Sequence, residues 1–228
     1  MMGETGRVLA VLYDIHGNLP ALEAVLEEVE RAEADRYLLG GDYGTPSPWP
    51  RETLARLREL PNATWIRGNG ERWLRELPEV PEVIEVYKEF EGTLTDEEID
   101  WLYGLPERAE LDGILYVHGS PISDVESFAP GPEEGEERLL ADVHDRTVVF
   151  GHSHQQFRRP GPRGTDLVNP GSVGMPLDGD VRAAWATWDR DFELRRTEYD
   201  VERAAVAFRS LGGDFGEFAA NRILKGSD

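Results

Sequence analysis

Residues 7–29 read RVLAVLYDIHGNLPALEAVLEEV, and this stretch decides the fold. Residues 7–13 form a nearly continuous apolar run rich in valine and leucine, which predicts a strand buried on both faces of a sheet. Pro20 stands where a helix would begin, and apolar residues follow it at helical spacing. The stretch therefore predicts a strand, a polar loop and a helix.

The same alternation of apolar runs and helical patterns recurs along the chain. Strands are predicted at 36–39, 63–67, 114–117 and 147–150, with a helix near 51–60. After Gly151 short strands and turns follow, at 155–159, 166–168, 183–188 and 192–199. A closing helix is predicted over 201–211, with Val206 and Phe208 packed inward and glycines 212 and 213 ending it. We expect an α/β protein with two facing mixed sheets and helices outside.

Residues 71–111 interrupt this alternation with charged, mostly helical sequence. A helix is expected to begin near Thr95, because Glu98 follows three residues later as in a capping box. The segment is either a small lid or an ordinary helical crossover at the sheet edge. The length of 228 residues suits one domain over 1–228 that includes this insertion.

Composition narrows the class of partner. The net charge is -21, from 45 acidic and 24 basic residues, which argues against binding of long nucleic acids. Cysteine is absent, which excludes disulfides and thiolate zinc sites and favours a cytoplasmic location. The first apolar run is far shorter than the ~18 residues of a membrane span, and no cleavable signal pattern precedes it. We therefore expect no membrane association, and the oligomeric state stays open.

Polar clusters follow five of the apolar runs, and they contain four of the five histidines of the chain. The carboxyl ends of parallel strands meet at one edge of a sheet, so these clusters are expected to lie together. Their side chains are imidazoles, carboxylates and an amide, which are ligands of hard or borderline divalent metals. The seven candidate ligands are Asp14, His16, Asp42, Asn69, His118, His152 and His154.

These ligands divide into two sets that share one bridging carboxylate, Asp42. One ion is assigned to Asp14, His16, Asp42 and His154. The other is assigned to Asp42, Asn69, His118 and His152. The assignment of His152 and His154 to one ion or the other is the least constrained part. His118, taken alone at the end of an apolar strand, also fits a hydrogen-bonded core histidine.

The clusters DIHGN at 14–18, GD at 41–42, GN at 68–69, HG at 118–119 and GHSH at 151–154 resemble the calcineurin-like metallophosphoesterase superfamily. NPGS at 169–172 is similar to the segment that follows in its small prokaryotic, phosphodiesterase-type members. The resemblance implies a four-layer α/β/β/α sandwich. It also implies hydrolysis of phosphate esters by a hydroxide held between two divalent ions, commonly manganese, iron, zinc or nickel.

One position departs from that family pattern. Many members have a histidine after the metal-binding asparagine, where it assists the leaving group, and this chain has Gly70. His144 is the remaining histidine, but the strand at 147–150 should separate it from the site. The general acid is thus unidentified, and leaving groups of low pKa are favoured. A phosphodiesterase is therefore preferred to a monoesterase.

Three further residues bear on substrate binding. Asn18 either contacts phosphate or caps the helix that follows it. Arg72 is the preferred phosphate-binding cation, and Asn69 is expected to contact substrate as well as metal. Ser172 lies between glycines and lacks the histidine of a nucleophilic triad, which favours a structural turn.

The leading function is therefore a metal-dependent phosphoesterase for a small phosphate ester, such as a nucleotide or cyclic nucleotide. The main alternative is a non-catalytic scaffold of the same fold that recruits other proteins. A nuclease is a third reading, and the acidic net charge argues against it for long DNA or RNA.

Overall fold

Strand β1, Leu9–Leu12, lies at the centre of a five-stranded sheet in this computed structural model, which describes residues 8–227. Arg7, the first residue of the predicted strand, is outside the described residues. The other strands of this first sheet are β2 Arg36–Leu39, β3 Ala63–Trp65, β9 Ala183–Trp188 and β10 Phe192–Thr197. Strand β1 is parallel to β2, which is parallel to β3, whereas β9 is antiparallel to β1 and β10 is antiparallel to β9. Residues 189–191 form the turn between the last two strands, as predicted.

The second sheet also has five strands, in the order β4-β5-β6-β8-β7. Its three central strands are parallel, and both edge strands run antiparallel to their neighbours. The bounds are β4 Arg108–Leu111, β5 Ile114–Val117, β6 Thr147–Val149, β7 Phe157–Pro160 and β8 Asp166–Asn169. Strand β4 was not predicted, because its sequence RAEL places arginine and glutamate on an exposed edge.

The two sheets pack face to face, so the strand residues between them are fully buried. Val11 of the first sheet and Tyr116 and Val149 of the second belong to this shared core. The other face of the first sheet is covered by α1, Leu19–Arg31, and α2, Pro50–Arg58. The outer face of the second sheet is covered by a short 3-10 helix, Glu136–Leu140, and by Phe128. This arrangement confirms the predicted fold of two facing mixed sheets, with a thin fourth layer.

Between β3 and β5 the chain forms α3, Asn69–Trp73, α4, Pro81–Glu89, and α5, Asp96–Tyr103, before entering β4. The predicted capping box is present, because Thr95 and Glu98 exchange side-chain and backbone hydrogen bonds. The hydroxyl of Tyr87 on α4 donates to the carbonyl of Gly70, 3.3 Å away. Helix α4 therefore packs beside α3, which begins at Asn69.

The carboxyl-terminal part contains one helix more than predicted. Helix α6, Val201–Arg209, is followed by α7, Gly213–Lys225, and the two pack together through Phe208. The inward placement of Val206 was wrong, since its side chain is 62% exposed, whereas Phe208 is fully buried. Within residues 8–227 no helix has the length and apolarity needed to cross a bilayer.

Candidate metal centre

The seven predicted ligands converge at one rim of the paired sheets. Asp14 and His16 follow β1, Asp42 follows β2, and Asn69 follows β3. His118 follows β5, and His152 and His154 follow β6. Adjacent parallel strands in each sheet thus deliver their polar ends to the same place, where the two sheets meet.

The backbone at this rim is unusual. Five of the seven candidate ligands have positive φ angles, a region that L-residues other than glycine rarely occupy. They are Asp14 (51°), His16 (47°), Asp42 (56°), His152 (64°) and His154 (57°). Such conformations persist only where the surrounding fold imposes them, and they concentrate at functional sites. The chain therefore bends at each strand end so as to aim a side chain into the site.

Asp14 lies at the centre of the first ligand group. Its Oδ1 atom is 3.5 Å from His154 Nε2 and 3.8 Å from both His16 Nε2 and His118 Nε2. Its other oxygen accepts a hydrogen bond of 2.9 Å from the backbone N–H of His152. The Nε2 atoms of His16 and His154 are only 3.0 Å apart. One cation can be reached from all three side chains.

A second group of lone pairs is formed by Asn69, His118 and His152. Asn69 Oδ1 lies 3.0 Å from His118 Nε2 and 2.9 Å from His152 Nδ1. With its amide reversed, Asn69 would instead donate to these two nitrogens and to the carbonyl of Asp124. The oxygen-inward orientation suits a cation, because it presents three lone pairs to one point.

Asp42 stands between the two groups. Its Oδ2 atom is 3.8 Å from His16 Nε2, and its Oδ1 atom is 3.5 Å from His118 Nε2. Oδ1 also accepts a hydrogen bond of 2.7 Å from the N–H of Gly70. The two carboxylate oxygens therefore face different histidines, which is the geometry a bridging ligand needs.

Backbone carbonyls fix two of the imidazole rings. His118 Nδ1 lies 2.8 Å from the carbonyl oxygen of Gly40, and His154 Nδ1 lies 2.7 Å from that of Met175. Only a protonated Nδ1 can donate to a carbonyl, so in the neutral form of each ring it is Nε2 whose lone pair faces the site. These contacts orient both rings so that Nε2 faces the candidate site.

The electrostatics of the rim also favour a cation. Burial lowers the pKa of His16 to about 4, and repulsion from His154 acts in the same direction, so this imidazole is neutral at pH 7. Burial lowers the pKa of His118, but Asp42 and Asp14 outweigh it and raise the pKa to about 10. Two buried carboxylates thus create a negative potential strong enough to hold positive charge.

A further observation supports the fit of these donor atoms to a divalent metal. Asp14 Oδ1 is fully buried and has no hydrogen-bond donor among residues 8–227. A buried carboxylate oxygen without a donor is costly, and a cation among the neighbouring imidazoles would remove that cost. Two candidate groups of ligands share this residue, one with His16 and His154 and one with Asp42 and His118.

Glu71 supports the site and was not identified from the sequence. Its carboxylate is buried and accepts hydrogen bonds from the N–H groups of Asp42 (2.9 Å), Tyr43 (2.8 Å) and Gly68 (2.9 Å). It therefore ties the loop after β2 to the loop that carries Asn69. Its position three residues after the N-cap glycine of α3 is the spacing of a capping box and was the available signal.

Close backbone approach explains one glycine of the motifs. Gly41 has a φ of 96°, and a Cβ atom there would lie 2.6 Å from the N atom of Gly68 and 2.7 Å from His118 Nδ1. A side chain at this position would separate two of the ligand loops.

The predicted substrate contacts have other partners in the structure. Asn18 is the N-cap of α1, and its fully buried amide bonds to Ala21 N and to the carbonyl of Gly174, which matches the capping alternative. Arg72 forms a bidentate ion pair with Asp124, at 2.6 and 2.9 Å.

Ser172 has a structural role beside the ligands. Its hydroxyl donates to the carbonyl of Asp14 and accepts from the N–H of Met175. Both contacts agree with the predicted turn.

A two-sheet α/β core with buried carboxylates and imidazoles at one rim defines the class of metallophosphoesterases. Residues 8–191 match the calcineurin-like phosphoesterase superfamily domain, and the chain belongs to this superfamily. An uncharacterized protein of Methanocaldococcus jannaschii is 27% identical over 232 residues, which cover 86% of this chain and 90% of that protein.

Solved structures share the fold. A metallophosphoesterase from Sphaerobacter thermophilus superposes with a TM-score of 0.77 at 24% identity, covering 97% of this chain and 99% of that chain. A hypothetical protein from Pyrococcus horikoshii gives a TM-score of 0.78 at 22% identity, with 97% and 99% coverage. The similarity in fold spans nearly the whole chain in both cases.

Proposed function

We propose that the protein hydrolyses small phosphate esters with two divalent metal ions, and that it favours diesters over monoesters. The observation that carries this proposal is the convergence of seven donor side chains at one rim, where Asp14 Oδ1 is buried without a hydrogen-bond donor among residues 8–227. Membership of the phosphoesterase superfamily supplies the reaction class.

The proposed division of ligands is the one expected from the sequence. We assign Asp14, His16, Asp42 and His154 to one ion, and Asp42, Asn69, His118 and His152 to the other. Asp42 is proposed as the bridge because its two oxygens face His16 and His118 respectively. Nitrogen and oxygen donors of this kind suit manganese, iron, zinc or nickel.

When bound, such a pair of ions lowers the pKa of a water molecule and neutralises phosphoryl oxygens. The residues of this chain orient the donors and exclude water from the carboxylates. We also propose that Asn69 contacts the substrate.

The preference for diesters depends on the missing proton donor. Gly70 supplies no side chain, and His144 is 71% exposed with its Nδ1 3.1 Å from Asp145 Oδ2, before β6 and away from the ligands. The Tyr87 hydroxyl lies next to Gly70, but burial raises its pKa well above 10, so it is a poor acid. Leaving groups that need no protonation should therefore be released fastest, and phenolic diesters meet that condition.

A scaffold function is the alternative. Every ligand position that the superfamily motifs define carries a donor in this chain, which favours an enzyme. The net charge of -21 favours a small substrate, such as a nucleotide or cyclic nucleotide, over a long nucleic acid.

The test combines metal analysis with a hydrolysis panel. Purified protein, loaded in turn with each candidate metal, is assayed on bis(4-nitrophenyl) phosphate and on a simple alkyl phosphate monoester. We expect about two metal ions per chain and a higher kcat/KM for the diester. Asp42→Asn should reduce the metal content and lower kcat at least ~100-fold. The matched control Asp142→Asn changes an exposed aspartate and should leave both values unchanged.

Hydrolysis by Asp42→Asn at the rate of the control would remove this residue as the bridge. Metal-loaded protein that hydrolyses neither ester would favour the scaffold, and a higher kcat/KM for the monoester would refute the diester preference.

A further inference from the structure

A cleft of about 620 Å³ opens beside the metal ligand His118. Three arginines line it, Arg67, Arg72 and Arg108, against two acidic residues, Glu107 and Asp124. The cleft is thus locally basic in a chain that has 45 acidic residues and 24 basic ones. A basic cleft next to the reacting centre is a candidate site for an anion.

The three arginines differ in their availability. Arg67 donates to the carbonyl of Tyr103 (2.8 Å) and to Glu107 (2.7 Å), and Arg72 is held by Asp124. The Arg108 side chain is exposed and makes no hydrogen bond or ion pair with any residue in 8–227. Arg108 is therefore the cation that a ligand can engage without breaking an existing pair.

Sheet register places Arg108 close to the metal ligands. Strand β4 pairs with β5 so that Arg108 lies opposite Val117, the residue that precedes His118. Side chains of directly opposed residues in an antiparallel pair lie ~5 Å apart at their Cβ atoms. The backbone of Arg108 thus lies opposite the residue before a ligand of the proposed second ion, and the side chains of Arg108 and His118 line the same cleft.

The cleft is also lined by exposed apolar side chains. Ile122 and Val125, in the loop that follows β5, are 50% and 42% exposed. An anionic group bound at Arg108 would therefore be joined to the scissile phosphate by a segment that packs against these side chains. Such a segment would be a sugar, a base or a short acyl chain.

We propose that this cleft binds a second anionic group of the substrate, a phosphate or a carboxylate, and that Arg108 is its main contact. The inference rests on the proposed phosphoesterase function and specifies its substrate class as diesters with an additional anion on one ester arm. A guanidinium presents paired donors to either anion, so the chemistry of recognition is shared.

The experiment uses thymidine 5′-(4-nitrophenyl phosphate) and its 3′-phosphorylated and 3′-succinylated counterparts. All three release 4-nitrophenolate, so the leaving group is constant. We expect the metal-loaded protein to show a kcat/KM at least about tenfold higher for one or both of the anionic substrates. The substrate with the higher kcat/KM shows whether the cleft prefers a phosphate or a carboxylate. The acidic protein would otherwise repel the extra charge and give a ratio below one.

Arg108→Gln should bring the ratio of kcat/KM values to one or below, and Arg108→Lys should retain part of the preference. The control Arg203→Gln changes an exposed arginine on α6 that does not line the cleft, and it should keep the full ratio. Wild-type ratios at or below one, or a preference that survives Arg108→Gln, would overturn the inference while the phosphoesterase function stands.

Absence of hydrolysis of all three diesters with every metal would overturn the phosphoesterase proposal instead. The cleft is then tested by calorimetric titration with thymidine 3′,5′-bisphosphate, thymidine 3′-succinate 5′-monophosphate and thymidine 5′-monophosphate. Tighter binding of either doubly anionic ligand that Arg108→Gln abolishes would support the anion site. Equal affinities of the wild-type protein for all three would refute it.

Discussion

Removal of the Glu71 carboxylate should both destabilise the protein and weaken its binding of metal. The carboxylate is 3% exposed and accepts from three backbone N–H groups, two in the loop after β2 and one in the loop before Asn69. Each buried N–H left without an acceptor costs ~1–3 kcal/mol, so three of them set an upper range of about 3–9 kcal/mol.

Two effects reduce that range. Burial and repulsion from Asp42 raise the pKa of Glu71 to about 7, so the ionised carboxylate is itself held at a cost that its removal relieves. Water that enters the space left by the side chain would also satisfy some of the N–H groups. We therefore expect Glu71→Ala to lower the free energy of unfolding by about 2–4 kcal/mol.

Glu71→Gln separates charge from hydrogen bonding. Its amide keeps one oxygen but turns an NH₂ group toward a backbone donor, so we expect a loss of about 1–2 kcal/mol. Both variants should also hold less metal, because the loops of Asp42 and Asn69 lose their common anchor.

The assay is urea denaturation of chelator-treated protein, followed by metal analysis of the reloaded protein. The control Glu85→Ala removes an exposed carboxylate of α4 and should change stability by less than about 0.5 kcal/mol. If Glu71→Ala unfolds with the free energy of this control and binds metal fully, the anchoring role is refuted.

Two other variants test the packing of the molecule. Gly68→Ala places a Cβ atom 2.3 Å from Asp42 Oδ1, so it should lower metal content and kcat, whereas Gly131→Ala meets no atom within 4 Å and should change neither. Equal metal content in both variants would contradict this. Arg159→Met should cost ~3–5 kcal/mol in urea denaturation, because Glu136, whose side chain is 7% exposed, loses its bidentate partner. Adding Glu136→Leu should recover most of that loss, and a double variant no more stable than the single one would refute the explanation.

Continuous apolar runs determined much of the fold from the sequence alone. Strands β2 and β5 have the bounds predicted for them, and α1 begins beside Pro20. A strand buried on both faces must be apolar throughout, so its sequence is distinctive. The motifs at the strand ends also fixed which seven residues would gather, because parallel strands end at a common rim.

The parts that the sequence did not predict depend on partners remote along the chain. Strand β4 alternates exposed and half-buried residues at a sheet edge, and α7 begins at a glycine, so neither carries a strong local signal. The sequence of α6 is compatible with a buried or an exposed Val206. The packing of α6 against α7 decides which side of the helix is buried.

The same holds within the site. Arg72 was expected to face phosphate, and its pairing with Asp124, 52 residues away, follows from the approach of two loops that no local pattern encodes. Glu71 reaches the N–H groups of residues 28 and 29 positions earlier for the same reason. The sequence thus determined which donor atoms the chain contains, and the tertiary structure decided which of them remain free for a ligand. The physical reason is that a buried polar group binds whichever partner the fold brings within ~3 Å, regardless of its distance along the chain.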